Sequence, residues 1–212
     1  YPPASTIKPM LGLAGLNREV ITTDTVVPDP GYYQLPGDPR RYRDWILRVR
    51  GTGHAEEMNL RDSIAQSCDV YFYELANRLG IDAIAESLDV FGIGSLTGVD
   101  LPSEKRGILP STEWKRRVIG SNWYGGETLI VGIGQGYMLA TPMQLAVATT
   151  ALATRGTAFQ PSLVAAVDAV APRDLRVVDL DPVEAQRAAA AVDARDRVEF
   201  LIAVLGPRTA PR

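Results

Sequence analysis

Ser5 and Lys8 stand three residues apart in the opening stretch Tyr1-Pro2-Pro3-Ala4-Ser5-Thr6-Ile7-Lys8-Pro9. Residues three apart on a helix share a face, so the hydroxyl and the amine are expected to meet. A serine beside an amine that can lose its proton is a nucleophile with its base. The N-terminal end of a helix adds partial positive charge, which favours a developing oxyanion. Of the 22 basic residues only three are lysines, at positions 8, 105 and 115. In so arginine-rich a chain, a retained lysine points to an amine that must deprotonate, which a guanidinium cannot do.

The elements that position this pair follow from apolar spacing. Met10, Leu11, Leu13, Ala14 and Leu16 suit the buried face of a helix over 5–16. Pro2 and Pro3 keep the incoming chain out of it. Pro9 fits the first turn, whose amides have no intrahelical acceptor. Residues 21–58 are rich in Pro, Gly, Asp, Arg and aromatics, and read as an ordered but irregular excursion of turns and short strands. Asn59 caps a helix over 60–66. After Ser67-Cys68-Asp69, helical spacing resumes over 70–79 to a stop at Gly80, and a further helix fits 81–91.

A short helix is expected from Thr112 and a turn at Gly125-Gly126. The glycine-punctuated apolar segment 129–136 lacks the spacing of a phosphate loop. Thr141 as cap and Pro142 at the first helical position open a helix over 142–154, which Gly156 closes. A strand over 161–167 and an amphipathic helix from Pro182 to about Leu205 complete the reading.

With 212 residues the chain holds one domain or two small ones. Its hydrophobic content of 46% and charged content of 22% are ordinary for a globular protein. The net charge of −3 gives no reason to expect a nucleic-acid partner. No apolar run reaches the ~18–20 residues that span a bilayer. One cysteine, Cys68, excludes an internal disulfide, and one histidine, His54, excludes a Ser-His-Asp triad unless it serves there. Because the chain opens directly on its candidate motif, it reads as a piece whose upstream part is missing.

Taken together, these motifs resemble the serine penicillin-binding proteins, and within them the class B, elongation-type penicillin-binding protein 2 family. The likeness is carried by residues 1–9, 29–37 (Asp-Pro-Gly-Tyr-Tyr-Gln-Leu-Pro-Gly), 41–45 (Arg-Tyr-Arg-Asp-Trp) and Ser67-Cys68-Asp69. Thr97–Leu101, Pro110, Trp114-Lys115, Val131–Tyr137 and Ala140–Gln144 extend it. It is continuous over roughly 1–165. The implied fold is α+β: the mainly helical subdomain of the serine β-lactamase and penicillin-binding protein transpeptidase fold, its central sheet largely missing. The implied division is a partial transpeptidase domain over 1–167 and an atypical Ala/Arg-rich segment over 168–212.

The resemblance implies that Ser5 is the acylated nucleophile, Lys8 its proton acceptor, and Ser67 a relay toward the leaving amine. Asp69 of the second motif would contribute to substrate binding. The implied reaction is D,D-transpeptidation: attack on the D-Ala-D-Ala carbonyl of a peptidoglycan stem peptide, then transfer to a neighbouring stem. β-Lactams would acylate the same serine. The implied setting is a periplasmic domain of an inner-membrane-anchored protein, with elongation-machinery membrane proteins, including a glycosyltransferase, as partners. The family's Lys-Thr/Ser-Gly motif is absent, since no lysine follows position 115. A D,D-carboxypeptidase, a β-lactam sensor and an inactive remnant therefore remain as alternatives.

The resemblance also implies a metal. Family members with Ser-Cys-Asp in the second motif match this chain at Asp29, Asp44, His54 and Cys68 and bind zinc there. Thiolate, imidazole and carboxylate are a suitable zinc set, and four protein ligands suit a closed structural site. Such an ion would tie the poorly apolar 21–58 excursion to the helix beside Ser67.

Overall fold

The computed structural model describes residues 1–163 and the backbone of residues 177–178. A 3-10 turn, Ala4–Ile7, runs into α1, Lys8–Asn17. The strands Tyr32–Tyr33 (β1) and Tyr42–Arg43 (β2) pair antiparallel, and a one-turn helix, Leu47–Arg50 (α2), follows. Then come α3 (Leu60–Ala65), α4 (Asp69–Leu79), α5 (Ile81–Asp89), α6 (Thr112–Val118), α7 (Gly125–Gly132) and α8 (Pro142–Ala153). Ala158–Phe159 (β3) pairs antiparallel with Val177–Val178 (β4).

The core is organised around α4. Val70, Tyr71, Phe72, Tyr73, Leu75 and Ala76 are all buried, so this helix is covered on nearly every side. It packs on α7, α1, α5 and α3. The α7 contact is close because both helices are small there: a Cβ on Gly132 would sit 2.4 Å from Ala76 Cβ. The excursion is pinned at its root, where Val27 and Met58 exchange backbone hydrogen bonds of 2.9 and 3.1 Å.

Caps fall at Asn59 and Thr141, where the sequence placed them, and also at Ser111. Asn59 Oδ1 accepts from the Asp62 amide at 2.9 Å, Ser111 Oγ from Trp114 at 3.0 Å, and Thr141 Oγ1 from Gln144 at 3.1 Å.

Three expectations change. Ser5 belongs to a 3-10 turn rather than to α1 itself, and α1 begins at Lys8. The turn at Gly125-Gly126 is instead the first turn of α7, where burial of Leu129 and Val131 outweighs the poor helix propensity of glycine. The strand expected over 161–167 lies earlier, at Ala158–Phe159. Pro161 has no amide to give, and residues 160–163 are tied to the 98–100 loop, Gln160 Nε2 to Gly98 O at 2.8 Å and the Leu163 amide to Asp100 Oδ1 at 2.7 Å. Residues 164–167 and the helix expected over 182–205 lie outside the described residues.

Candidate active site and adjoining metal centre

Ser5, Ser67, Lys8 and Asp69 form one hydrogen-bonded row. Ser67 Oγ donates to Ser5 Oγ at 2.8 Å. Lys8 Nζ donates to Ser67 Oγ at 3.2 Å, to Ser67 O at 2.8 Å and to Asp69 Oδ1 at 2.7 Å. The amine thus reaches the candidate nucleophile through Ser67 rather than directly, although Ser5 and Lys8 are only three residues apart. Lys8 is 1% exposed and lies 5.3 Å from the centre of the Phe72 ring. Burial raises the Asp69 carboxyl above its ordinary range, and the nearby Lys8 charge opposes that rise.

Two backbone constraints shape the row. Ser67 has φ +56°, a left-handed conformation that non-glycine residues rarely hold. This bend carries the chain from α3 into α4. The Ser67 carbonyl also accepts from Trp45 Nε1 at 3.0 Å. On the other side, the Ala4 amide donates to Gly134 O at 2.8 Å. Gly134 itself has φ +71°, and a Cβ there would sit 2.1 Å from Ala4 O. Residue 134 must therefore be glycine for the turn carrying Ser5 to settle. In the sequence Gly134 was visible only as part of a glycine-punctuated run. A glycine in such a run marks close backbone approach as well as loops.

The second cluster lies beneath the row. Side-chain atoms of Asp29, Asp44, His54 and Cys68 all lie within 4.8 Å of one another. His54 Nδ1 is 2.7 Å from Asp29 Oδ2 and 3.5 Å from Asp44 Oδ2, and the Cys68 sulfur is 3.5 Å from Asp29 Oδ2. Both carboxylates are oriented by backbone amides. Asp29 accepts from Gly31 at 2.7 Å and from His54 at 2.9 Å, and Asp44 from Asp69 at 2.6 Å and Val70 at 3.2 Å. The short α2 turn leads back to His54 through Gly53, where a Cβ would lie 1.8 Å from Asp29 O.

The donor set fits a divalent cation. Two side chains with 0% exposure carry carboxylates, and among the described residues neither is ion-paired to a lysine or arginine. Buried carboxylates facing each other without a full countercharge call for a cation. Burial pushes the Cys68 thiol well above its ordinary value. The Tyr71 amide opposes that, and the Asp29 and Asp44 charges add to it. A zinc ion bound there would reverse the balance and hold the sulfur as thiolate. His54 Nε2 is buried with no hydrogen-bond partner among the described residues.

The profile of the penicillin binding protein transpeptidase domain matches residues 1–198. The chain belongs to the penicillin-binding protein transpeptidase family. It is 46% identical over 176 residues to the peptidoglycan D,D-transpeptidase MrdA of Acinetobacter baumannii, covering 83% of this chain and 25% of that protein. It is 44% identical over 163 residues to MrdA of Escherichia coli, covering 77% and 25%. The chain therefore spans about a quarter of the length of these relatives. Among solved structures it is similar to Pseudomonas aeruginosa penicillin-binding protein 2 in complex with WCK 5153, with 42% identity, a TM-score of 0.74, and 90% and 43% of the two chains covered. The complex of Helicobacter pylori penicillin-binding protein 2 with MreC matches at 32% identity and a TM-score of 0.78, covering 98% and 36%. The fold is that of the penicillin-binding protein transpeptidase domain, seen here mainly as its helical part.

Proposed function

We propose that these residues form part of a peptidoglycan D,D-transpeptidase that works through a serine acyl-enzyme. The observation that carries this reading is the continuous row Ser5–Ser67–Lys8, with Oγ–Oγ and Nζ–Oγ distances of 2.8 and 3.2 Å. Ser5 Oγ attacks the carbonyl carbon of the penultimate D-Ala, and its proton passes by way of Ser67 toward Lys8. The peptide C–N bond then breaks, the departing D-Ala amine takes a proton back along the same row, and the acyl group stays on Ser5. The amine of a neighbouring stem attacks the ester, forms the cross-link and frees Ser5. Asp69 holds Lys8 in place through its 2.7 Å contact with the amine and contributes to substrate binding.

The metal in this reading is a structural zinc held by Asp29, Asp44, His54 and Cys68. It supplies charge balance and cross-links the excursion to the start of α4, one residue from Ser67. No step of the acyl transfer passes through it, since four protein ligands leave no position for a reactive water. The proposed setting is the periplasmic face of the inner membrane, in cell-wall elongation. MreC accompanies the H. pylori relative. A relative in a peptidoglycan synthase complex that couples polymerization to crosslinking supports a glycosyltransferase partner.

A second reading, an inactive remnant, would follow if the full-length protein lacked a Lys-Thr/Ser-Gly motif, which would bind the substrate carboxylate and supply half of the oxyanion hole. Loss of one oxyanion donor costs about 10²–10³ in rate. Incubating the full-length protein with a pentapeptide stem and an acceptor stem separates the readings. Cross-linked dimer with released D-Ala is the expected product. Release of D-Ala without dimer would make the protein a carboxypeptidase, and no release with no acyl adduct would make it a remnant.

A further inference from the structure

A cleft of about 360 Å³ lies between the loop carrying Arg40 and Tyr42 and the first turn of α7. That volume falls within the ~300–1,000 Å³ usual for small-ligand sites. Tyr124, Glu127, Ile130, Gly136 and Tyr137 complete its walls. Both walls lie close in sequence to residues that brace the reacting row. Gly136 stands two residues beyond Gly134, which holds the Ala4 amide, and Tyr42 stands two residues before Asp44, which holds the Asp69 amide.

The charges around this cleft are already matched. Arg40 pairs with Asp38 at 2.7 Å, and Glu127 receives Lys115 Nζ on both oxygens at 2.6 and 2.7 Å. Lys115 is 2% exposed and lies 4.7 Å from the centre of the Tyr124 ring and 5.7 Å from that of Tyr137. Tyr137 is tilted against Trp114 and Trp123 as well. The buried ammonium thus fixes two tyrosine rings in place, yet Tyr124 keeps 62% of its surface open. The result is preorganised aromatic surface with polar edges and no net charge.

Such a surface suits a neutral, hydroxyl-rich ring. The C–H face of a sugar packs on a tyrosine ring, while phenol hydroxyls and the guanidinium edge bond its hydroxyl and amide groups. An anionic peptide, by contrast, would have to compete with Asp38 for Arg40. We propose that this cleft is a carbohydrate subsite, which seats an N-acetylated sugar of the glycan strand. The sugar's identity rests on the peptidoglycan reading, whereas its chemical class rests on the cleft alone.

The test is calorimetric titration of the full-length protein with a soluble N-acetylglucosamine tetrasaccharide. Saturable binding is expected, weakened about fivefold to tenfold by Tyr124→Ala, the share of one ring contact. Tyr124→Phe should retain binding, because the ring face carries the contact. Tyr124 is mostly exposed and is one ring of three around Lys115, so Tyr124→Ala should lower the melting temperature by no more than about 2–4 °C. Ser5→Ala should bind the sugar normally while losing penicillin labelling. Absence of labelling in the parent, with sugar binding intact, would defeat the transpeptidase reading and uphold the subsite. The subsite is overturned by no saturable binding, by binding indifferent to Tyr124→Ala, or by Tyr124-dependent binding of a free stem pentapeptide in place of the sugar.

Discussion

Two buried lysines, Lys8 and Lys115, are 1% and 2% exposed, and each meets a carboxylate. Their surroundings differ in kind. Lys115 is locked: both Glu127 oxygens, the Asn122 carbonyl at 2.7 Å and three aromatic rings enclose it. Lys8 touches one oxygen of Asp69, gives its other hydrogen bonds to the carbonyl and hydroxyl of Ser67, and faces a single ring, Phe72, at 5.3 Å. A hydroxyl can pass a proton on, whereas a bidentate carboxylate under an aromatic roof holds the charge in place. Under the proposed reading an arginine-rich chain keeps lysine for two reasons, proton transfer at one site and a compact cation that fits a ring cage at the other.

The comparison breaks most sharply at Lys8. Lys8→Arg and Lys8→Ala should each lower the rate of acylation by labelled penicillin about 10²–10⁴-fold, the usual share of a proton-transfer group. A Lys8→Arg enzyme that kept most of its rate would place the two lysines in one class.

Lys115→Ala should act on stability instead. Removing one partner of a buried pair costs about 3–5 kcal/mol. The Glu127 side chain is 25% exposed, which brings the expected loss to about 2–3 kcal/mol by denaturant unfolding. The acylation rate of the protein that stays folded should change by less than about threefold, because Lys115 makes no contact with the row.

Removing the proposed metal sharpens the contrast in another way. The full-length protein is expected to carry one zinc per chain, and Cys68→Ser to carry none. A ligand present at a thousandfold excess over its Kd stabilises by about 4 kcal/mol, which is on the order of 10 °C here. Some of that loss should appear as slower acylation, since Cys68 follows Ser67 directly, while the Lys115 cage should be unaffected. Elemental analysis together with melting curves reads both effects. No zinc in the parent and an unchanged Cys68→Ser melting temperature would remove the metal from the account.

Much of this was legible in the sequence because the signals were local. Asn59, Ser111 and Thr141 cap helices that begin where their side-chain oxygens require it. The apolar spacing of α4 fixed its buried faces. Ser5, Lys8 and Ser67 could be placed in one cleft from motif resemblance, and the four residues of the metal cluster likewise. What stayed hidden depends on distant packing. Gly125 and Gly126 look like a turn, yet they open α7 because Leu129 and Val131 are buried beside α4. The order Ser5–Ser67–Lys8 was hidden as well, because the left-handed bend at Ser67 inserts its hydroxyl between the other two. The retained-lysine argument, which asks for an amine that deprotonates, does not describe Lys115. Lys115 answers to a cage of rings contributed by residues 123, 124 and 137, which no local pattern announces.

The central claim is that Ser5 is a nucleophile activated through Ser67 and Lys8. Its most direct test is intact mass and peptide mapping of the full-length protein after incubation with labelled penicillin. One adduct per chain is expected, on the peptide containing Ser5, and none in Ser5→Ala. An unlabelled protein, or label that persists in Ser5→Ala, would contradict it.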